Sequence, residues 1–239
     1  SKLFNHTHFM NAATHDVISK ASYRLNEICD FSFVGGTNLL SSNMHSYNQW
    51  KINLYDAFFL KNIILMGVGW WQYQGKPNLY TKLLLNKVLH GSMLHSVRDS
   101  FTEKQLNSAG FNNVINTGCP TMWRLTHEHC ATIPTCKSES VVFTLTDYYP
   151  DIKRDSYLIE CLKKEYKNVY FWPQGSGDLH YINRLKKSGF HILCPSLNSY
   201  DELLSSDENI DFVGTRLHAG IRALQNKRRT IILAVDNRA

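Results

Sequence analysis

Two segments carry residue types whose spacing could do chemistry on a small anion. The first is Phe212-Val213-Gly214-Thr215-Arg216-Leu217-His218-Ala219-Gly220-Ile221-Arg222-Ala223-Leu224. A buried strand should end there, Gly214 permits a sharp turn, and the Thr215 hydroxyl can cap the helix that follows. Arg216 then falls in the first helical turn, where unpaired N–H groups and the helix dipole already favour negative charge. A cation in that place is mildly repelled unless it is aimed at a bound phosphate or carboxylate. Two residues on stands His218, a side chain whose ordinary pKa of about 6.5 suits proton donation. The second segment is Ser96-Val97-Arg98-Asp99-Ser100-Phe101, again a strand end running into a helix. Arg98 holds there the place that Arg216 holds in the later segment. Two guanidiniums so placed can clamp one small polyanion, each through a planar bidentate fork. The plainer alternatives are a surface salt bridge for Arg216 with a capping or packed His218, and an Arg98 pair with Asp99 or Glu103.

The elements that must position these residues form a regular rhythm of short β-rich runs and amphipathic helical stretches. Helices are expected over Asn11–Glu27, Leu54–Leu60, Leu79–Leu89 and Phe101–Ala109, the last stopped by Gly110. Strands are expected at Phe31–Val34, Asn62–Gly67, Met93–Val97 and Asn113–Asn116. In Leu79–Leu89 the apolar residues fall at Leu79, Leu83, Leu84 and Val88. A polar, His- and Thr-rich stretch, Arg124–Ser140, reads as a joint between two domains, 1–125 and 126–239. The rhythm then resumes with strands at Val141–Thr146, Val169–Trp172, His191–Cys194, Ile210–Val213 and Thr230–Val235. Helices at Asp151–Tyr166, Asp178–Lys187, Ser199–Ser205 and Arg216–Asn226 alternate with them. In the last helix Leu217, Ile221 and Leu224 fall at i, i+4 and i+7 and should face the sheet. Such alternation implies α/β architecture: two Rossmann-like lobes of parallel strands covered by helices, with ligands beyond the carboxyl ends of the strands.

Composition narrows the function classes. The 239 residues are 43% hydrophobic and include twelve Phe, twelve Tyr and five Trp, which excludes global disorder. A net charge of +6 with scattered Lys and Arg, the one tight run being Lys227-Arg228-Arg229, argues against nucleic-acid binding. The longest apolar run, Ile63–Trp71, is too short for a bilayer span of about 20 residues. The first ten residues, SKLFNHTHFM, hold no apolar signal-peptide region. The chain starts without Met and stops at Asn237-Arg238-Ala239, so the natural termini are expected to lie beyond both ends. Six Cys with no CxxC pair read as free thiols of a cytoplasmic protein.

Other candidates are weaker. Gly67-Val68-Gly69-Trp70-Trp71-Gln72 lacks the third Gly of a dinucleotide fingerprint, and Trp70, Trp71 and Tyr73 could stack on a sugar face or simply pack. Gly175-Ser176-Gly177-Asp178 is either a capping turn or the source of a cleft carboxylate, Asp178. His127-Glu128-His129-Cys130, with Cys119 and Cys136 nearby, matches no standard zinc-ligand spacing, so no metal is expected. His6 and His8 need no ligand role, and no Gly-rich Lys-Ser/Thr phosphate loop exists.

Taken together, the chain resembles the polysaccharide pyruvyl transferase family. The resemblance is carried by Gly35-Gly36-Thr37-Asn38-Leu39-Leu40, Gly67-Val68-Gly69, Ser96-Val97-Arg98-Asp99-Ser100, Thr117-Gly118-Cys119-Pro120 and Thr215-Arg216-Leu217-His218. Asn11-Ala12-Ala13-Thr14-His15-Asp16 corresponds to the family's opening Asn…Gly-Asp turn, with His15 where Gly is usual. It implies a glycosyltransferase-B-like fold and transfer of pyruvate from phosphoenolpyruvate to two hydroxyls of a surface-polysaccharide sugar or its precursor, giving a cyclic ketal. His218 is then the catalytic acid, and Arg98, Arg216, Leu217, Gly36, Trp70, Gln174 and Asp178 contact substrate. Phosphoenolpyruvate is a substrate, and no cofactor is implied. The acceptor would be a glycan or lipid-linked saccharide, met by a protein that is cytoplasmic or peripheral at the membrane. Competing readings are a nucleotide-sugar glycosyltransferase on the same scaffold and a non-catalytic glycan- or anion-binding module.

Overall fold

The computed structural model describes residues 8–235; His6 and Asn237–Ala239 lie outside them. The chain divides into two compact units between Pro120 and Thr121. Among the described residues no helix is long and apolar enough to cross a membrane.

The first unit runs α1 (Lys20–Ile28), β1 (Ser32–Gly35), β2 (Ile63–Met66), α2 (Leu79–Val88), β3 (His95–Val97), α3 (Ser100–Ser108) and β4 (Val114–Asn116). β1 pairs parallel with β2, Val34 facing Leu65, and β3 pairs parallel with β4, Ser96 facing Ile115. A Val68–Val97 bridge and a Gly67 N–H donated to Ser96 O at 2.9 Å lay the extensions of β2 and β3 side by side. Leu39, Leu40, Leu65, Leu84, Val97 and Leu106 fill the core.

Two expectations change here. The helix expected from Asn11 begins only at Lys20, because Ser19 stays extended and caps it, its Oγ accepting from Ser22 N at 3.3 Å. The helix expected over Leu54–Leu60 shrinks to a 3-10 turn at Asp56–Phe58. Its buried Asp56 carboxylate is taken up by Asn53 N and the Tyr23 hydroxyl, at 2.7 and 2.6 Å. Helix α2 forms as expected, but it buries Leu84, Leu85 and Val88 and leaves Leu79 and Leu83 exposed.

The second unit begins with a short helix inside the supposed polar joint, α4 (His127–Ala131), capped by Thr126. It continues with β5 (Ser140–Thr144), α5 (Ile152–Glu165), β6 (Asn168–Phe171), α6 (Asp178–Arg184) and β7 (His191–Ile192). Then follow α7 (Leu197–Ser205), β8 (Ile210–Gly214), α8 (Leu217–Gln225) and β9 (Thr230–Ile232). All five strands are parallel, in the order β7-β6-β5-β8-β9. Successive residues of β5 point to opposite faces, so Val141 and Phe143 join one core with Ile159 and Phe171, while Val142 joins another with Tyr200 and Phe212. Every residue of β5 and β8 is buried, as both faces of a parallel sheet require. Chain order reverses between β5 and β8, which opens a crevice past their carboxyl ends.

Helix α8 differs from its expected phase. Ala219, Gly220, Ile221 and Ala223 face the sheet, whereas Leu217 and Leu224 are only half-buried. Thr215 does not cap it either. Its hydroxyl bonds to that of Thr146 at 2.8 Å, and Arg216 occupies the cap position without a side-chain cap bond.

Candidate active site

In the second unit the crevice is built by three segments: Leu145-Thr146-Asp147 after β5, the turn 174–178 after β6, and Thr215-Arg216 after β8. Arg216 is fixed along its whole length. Its backbone N–H donates to Thr144 Oγ1 at 3.3 Å and its Nε to Leu145 O at 3.3 Å. Nη2 lies 2.9 Å from Asp147 Oδ1 and also bonds Asp178 Oδ1, and the guanidinium carbon stands 4.8 Å above the Tyr148 ring. Asp178 is fully buried and collects Gln174 N and Gly175 N on Oδ2, at 3.1 and 2.7 Å, and Asp147 N on Oδ1 at 3.3 Å. A Cβ on Gly175 would run into the Arg216 guanidinium and one on Gly177 into the Asp147 carboxylate, so only glycine lets this turn close on the pair. Helix α6, which carries Asp178, is anchored by Tyr181, whose hydroxyl donates to Asp155 Oδ2 at 2.5 Å. Burial, and then that bond, hold the Tyr181 phenol well above its ordinary pKa.

The ion-pair alternative for Arg216 is thus realised, but by a side chain only 10% exposed and not on the surface. The Asp147 side chain is 34% exposed and that of Asp178 0%, so solvent and any ligand reach the Asp147 side. Asp178 itself is covered, which corrects its reading as a substrate-contacting carboxylate: the side chain it meets is Arg216. Gln174 is exposed on the same turn, and His218 is exposed on the first turn of α8. Arg222, one helical turn beyond His218, is committed to a bidentate bond with Asp201 at 2.8 and 2.6 Å.

In the first unit the loops after β1, β2, β3 and β4 are laced together at their carboxyl ends. Gly69 N donates to Thr37 O at 2.9 Å, Thr117 N to Val97 O at 2.9 Å, and the Ser96 and Thr117 hydroxyls bond at 2.5 Å. Gly67, at φ +63°, leaves the space that the Pro120 ring occupies. Arg98 Nη2 donates to Asn38 Oδ1, and Nε lies 3.7 Å from Asp99 Oδ2. Asp99 also caps α3, its Oδ1 accepting from Thr102 N at 2.7 Å. A Cβ on Gly69 would come within 2.7 Å of the Arg98 guanidinium carbon, so the loop's closeness to that side chain depends on glycine. Gly36, at φ +77°, faces open space.

The family model for polysaccharide pyruvyl transferase matches residues 2–237. The chain belongs to the polysaccharide pyruvyl transferase family. Comparison with curated proteins and with solved structures gives no match. Membership places the chain among transferases acting on polysaccharide, and its parallel α/β units fit the glycosyltransferase-B-like architecture expected from the motifs.

In this member of the family the aromatic loop needs correction. Trp70 is 2% exposed, with Nε1 bonded to Ser42 Oγ and Gln74 Oε1 at 3.2 Å each, so its faces are covered by protein and no sugar can stack there. Trp71 stacks on Tyr47 at 3.8 Å, and the exposed Tyr73 meets Phe101 edge-on at 5.0 Å. Among the described residues no group of three or more His, Cys, Asp or Glu could hold a metal; His129 Nε2 lies 2.8 Å from Leu224 O. Sequence reasoning missed Asp147, Tyr148 and Asn38. Asp147 had a usable signal, since it follows the central strand β5 at its carboxyl end, the rule that selected Arg98 and Arg216.

Proposed function

We propose that this chain takes phosphoenolpyruvate as donor and attaches its pyruvyl group to two hydroxyls of a saccharide as a cyclic ketal. The observation that carries the reading is Arg216, held beyond the β5 and β8 ends with one carboxylate buried and the other open to replacement, in a member of this family. A phosphate or carboxylate of the donor takes the place of Asp147 on the guanidinium, while Asp178 keeps it aimed. His218 gives a proton to the methylene carbon, which becomes a methyl group as C2 turns electrophilic. One acceptor hydroxyl bonds to C2 and loses its proton. The C2–O bond to phosphate then breaks, the phosphate leaving with the electron pair, and a second hydroxyl closes the ketal. One hydroxyl proton balances that given by His218 and the other leaves with phosphate. In the first unit Arg98, bonded to Asn38, is the residue proposed to meet an anion there.

The test is phosphate release from phosphoenolpyruvate across a panel of hexosides, with nucleotide sugars as controls. His218→Gln should lower turnover about 10²–10⁴-fold while donor affinity stays near normal. Arg98→Ala and Arg216→Ala should each weaken donor binding by about 2–4 kcal/mol in calorimetry. Wild-type turnover in His218→Gln would overturn the mechanism, and undiminished donor affinity in both arginine variants would remove the anion contacts.

A further inference from the structure

One face of the first unit presents apolar and aromatic side chains to solvent among lysines. On α2, Leu79 is 72% exposed, Leu83 follows one turn later and Lys87 one turn after that, so the three form a stripe. Beside it lies the 3-10 turn whose Phe58 is 68% exposed, with Tyr55 and Phe59 also outward. Lys87 Nζ stands 5.2 Å over the Phe58 ring, and the two line a shallow cavity of about 320 Å³ with Lys61 and His90. The patch is therefore continuous.

Its charge is one-sided. From Ala57 to Val97 the chain carries Lys61, Lys76, Lys82 and Lys87 and no Asp or Glu. Asp56, in the turn itself, is buried and bonded by Tyr23 and Asn53. At the rim stands Asp30, whose carbonyl accepts from Asn62 Nδ2 at 3.2 Å. A second copy of the chain is a poor occupant, because a two-fold contact sets a patch against itself and would oppose the lysines with no carboxylates to pair them.

We infer that this face docks the first unit on an anionic lipid bilayer. Leucines and aromatic rings enter the headgroup boundary while lysines meet lipid phosphates, the division of labour that interfacial helices use. The surface is independent of the donor chemistry proposed above, and its failure would leave that chemistry untouched.

Co-sedimentation tests it, using vesicles of phosphatidylcholine with and without phosphatidylglycerol. The wild-type chain should bind the anionic vesicles, lose that binding as salt is raised, and ignore neutral ones. Lys61→Glu with Lys87→Glu should weaken binding at least about tenfold, since each lysine near such a surface is worth roughly a factor of five. Leu79→Ser with Leu83→Ser should weaken it comparably. Both pairs should keep wild-type melting temperature and turnover on a soluble acceptor. Absence of vesicle binding, or binding unchanged in both variants, overturns the proposal. A concentration-dependent dimer that the leucine variant abolishes would overturn it in favour of self-association.

Discussion

Asp178 shows how much one buried carboxylate can determine. It accepts from three backbone N–H groups and from Arg216, so both its oxygens are fully used. Asparagine has one such oxygen, and its amide would point N–H groups at other donors. Asp178→Asn should therefore cost about 3–5 kcal/mol in urea denaturation, the usual loss when one partner of a buried ion pair goes. It should also loosen donor binding through the freed Arg216; an unchanged denaturation midpoint would show that the pair is dispensable. At this scale the sequence was half legible. Arg98 and Arg216 stood out because each follows a strand and opens a helix. Their partners did not, since Asp147 lies 69 residues from Arg216 and Asp178 lies 38 away. Whether a turn such as Gly175–Asp178 caps a helix or braces an arginine is decided by tertiary approach, which spacing along the chain does not encode.

Among the elements, α8 shows where periodicity misleads. The stripe of its largest apolar residues, Leu217, Ile221 and Leu224, suggested the inward face. The helix instead comes so close to the sheet that a Cβ on Gly220 would lie 2.7 Å from Ile232 Cγ1 and 3.0 Å from Phe212 Cε1. Small residues allow that approach, so Ala219, Gly220 and Ala223 turn inward and the leucines move to the flanks. Ile221→Ala should then cost about 2–5 kcal/mol, and Leu217→Ala about 1 kcal/mol, as for a half-buried leucine. Thermal unfolding of the two variants side by side decides; a larger loss at Leu217 would restore the original phase. On α2 likewise not every leucine of the apolar set is buried: the core takes Leu84, Leu85 and Val88 and leaves Leu79 and Leu83 outside. By contrast, the alternation of strands and helices was legible almost throughout, because parallel strands buried on both faces leave continuous apolar runs such as Val141-Val142-Phe143.

At the scale of the whole molecule, the first unit should lose stability in mild acid. His95 is completely buried in the first; its Nδ1 accepts from Leu65 N at 3.3 Å and Nε2 lies 3.1 Å from His90 O. Burial holds the imidazole below its ordinary 6.5. Above that pH folded and unfolded chains are both neutral there, and the full stability is present. Below it the unfolded chain binds a proton that the folded one refuses, so stability falls as pH drops toward the lowered value. Melting curves should shift downward below about pH 6.5 and lose part of that slope in His95→Gln; identical slopes would show that His95 titrates normally. The long separation of Arg216 from its carboxylates also bears on how the chain is made. Synthesis delivers β5, Asp147, β6 and Asp178 well before β8 brings the arginine, and domains assemble as their chain emerges. Until then β5 lacks one of its two neighbours, and the buried carboxylate of Asp178 would be without its cation. The final compaction of the second unit is therefore expected to wait on the arrival of the residue on which donor binding is proposed to depend.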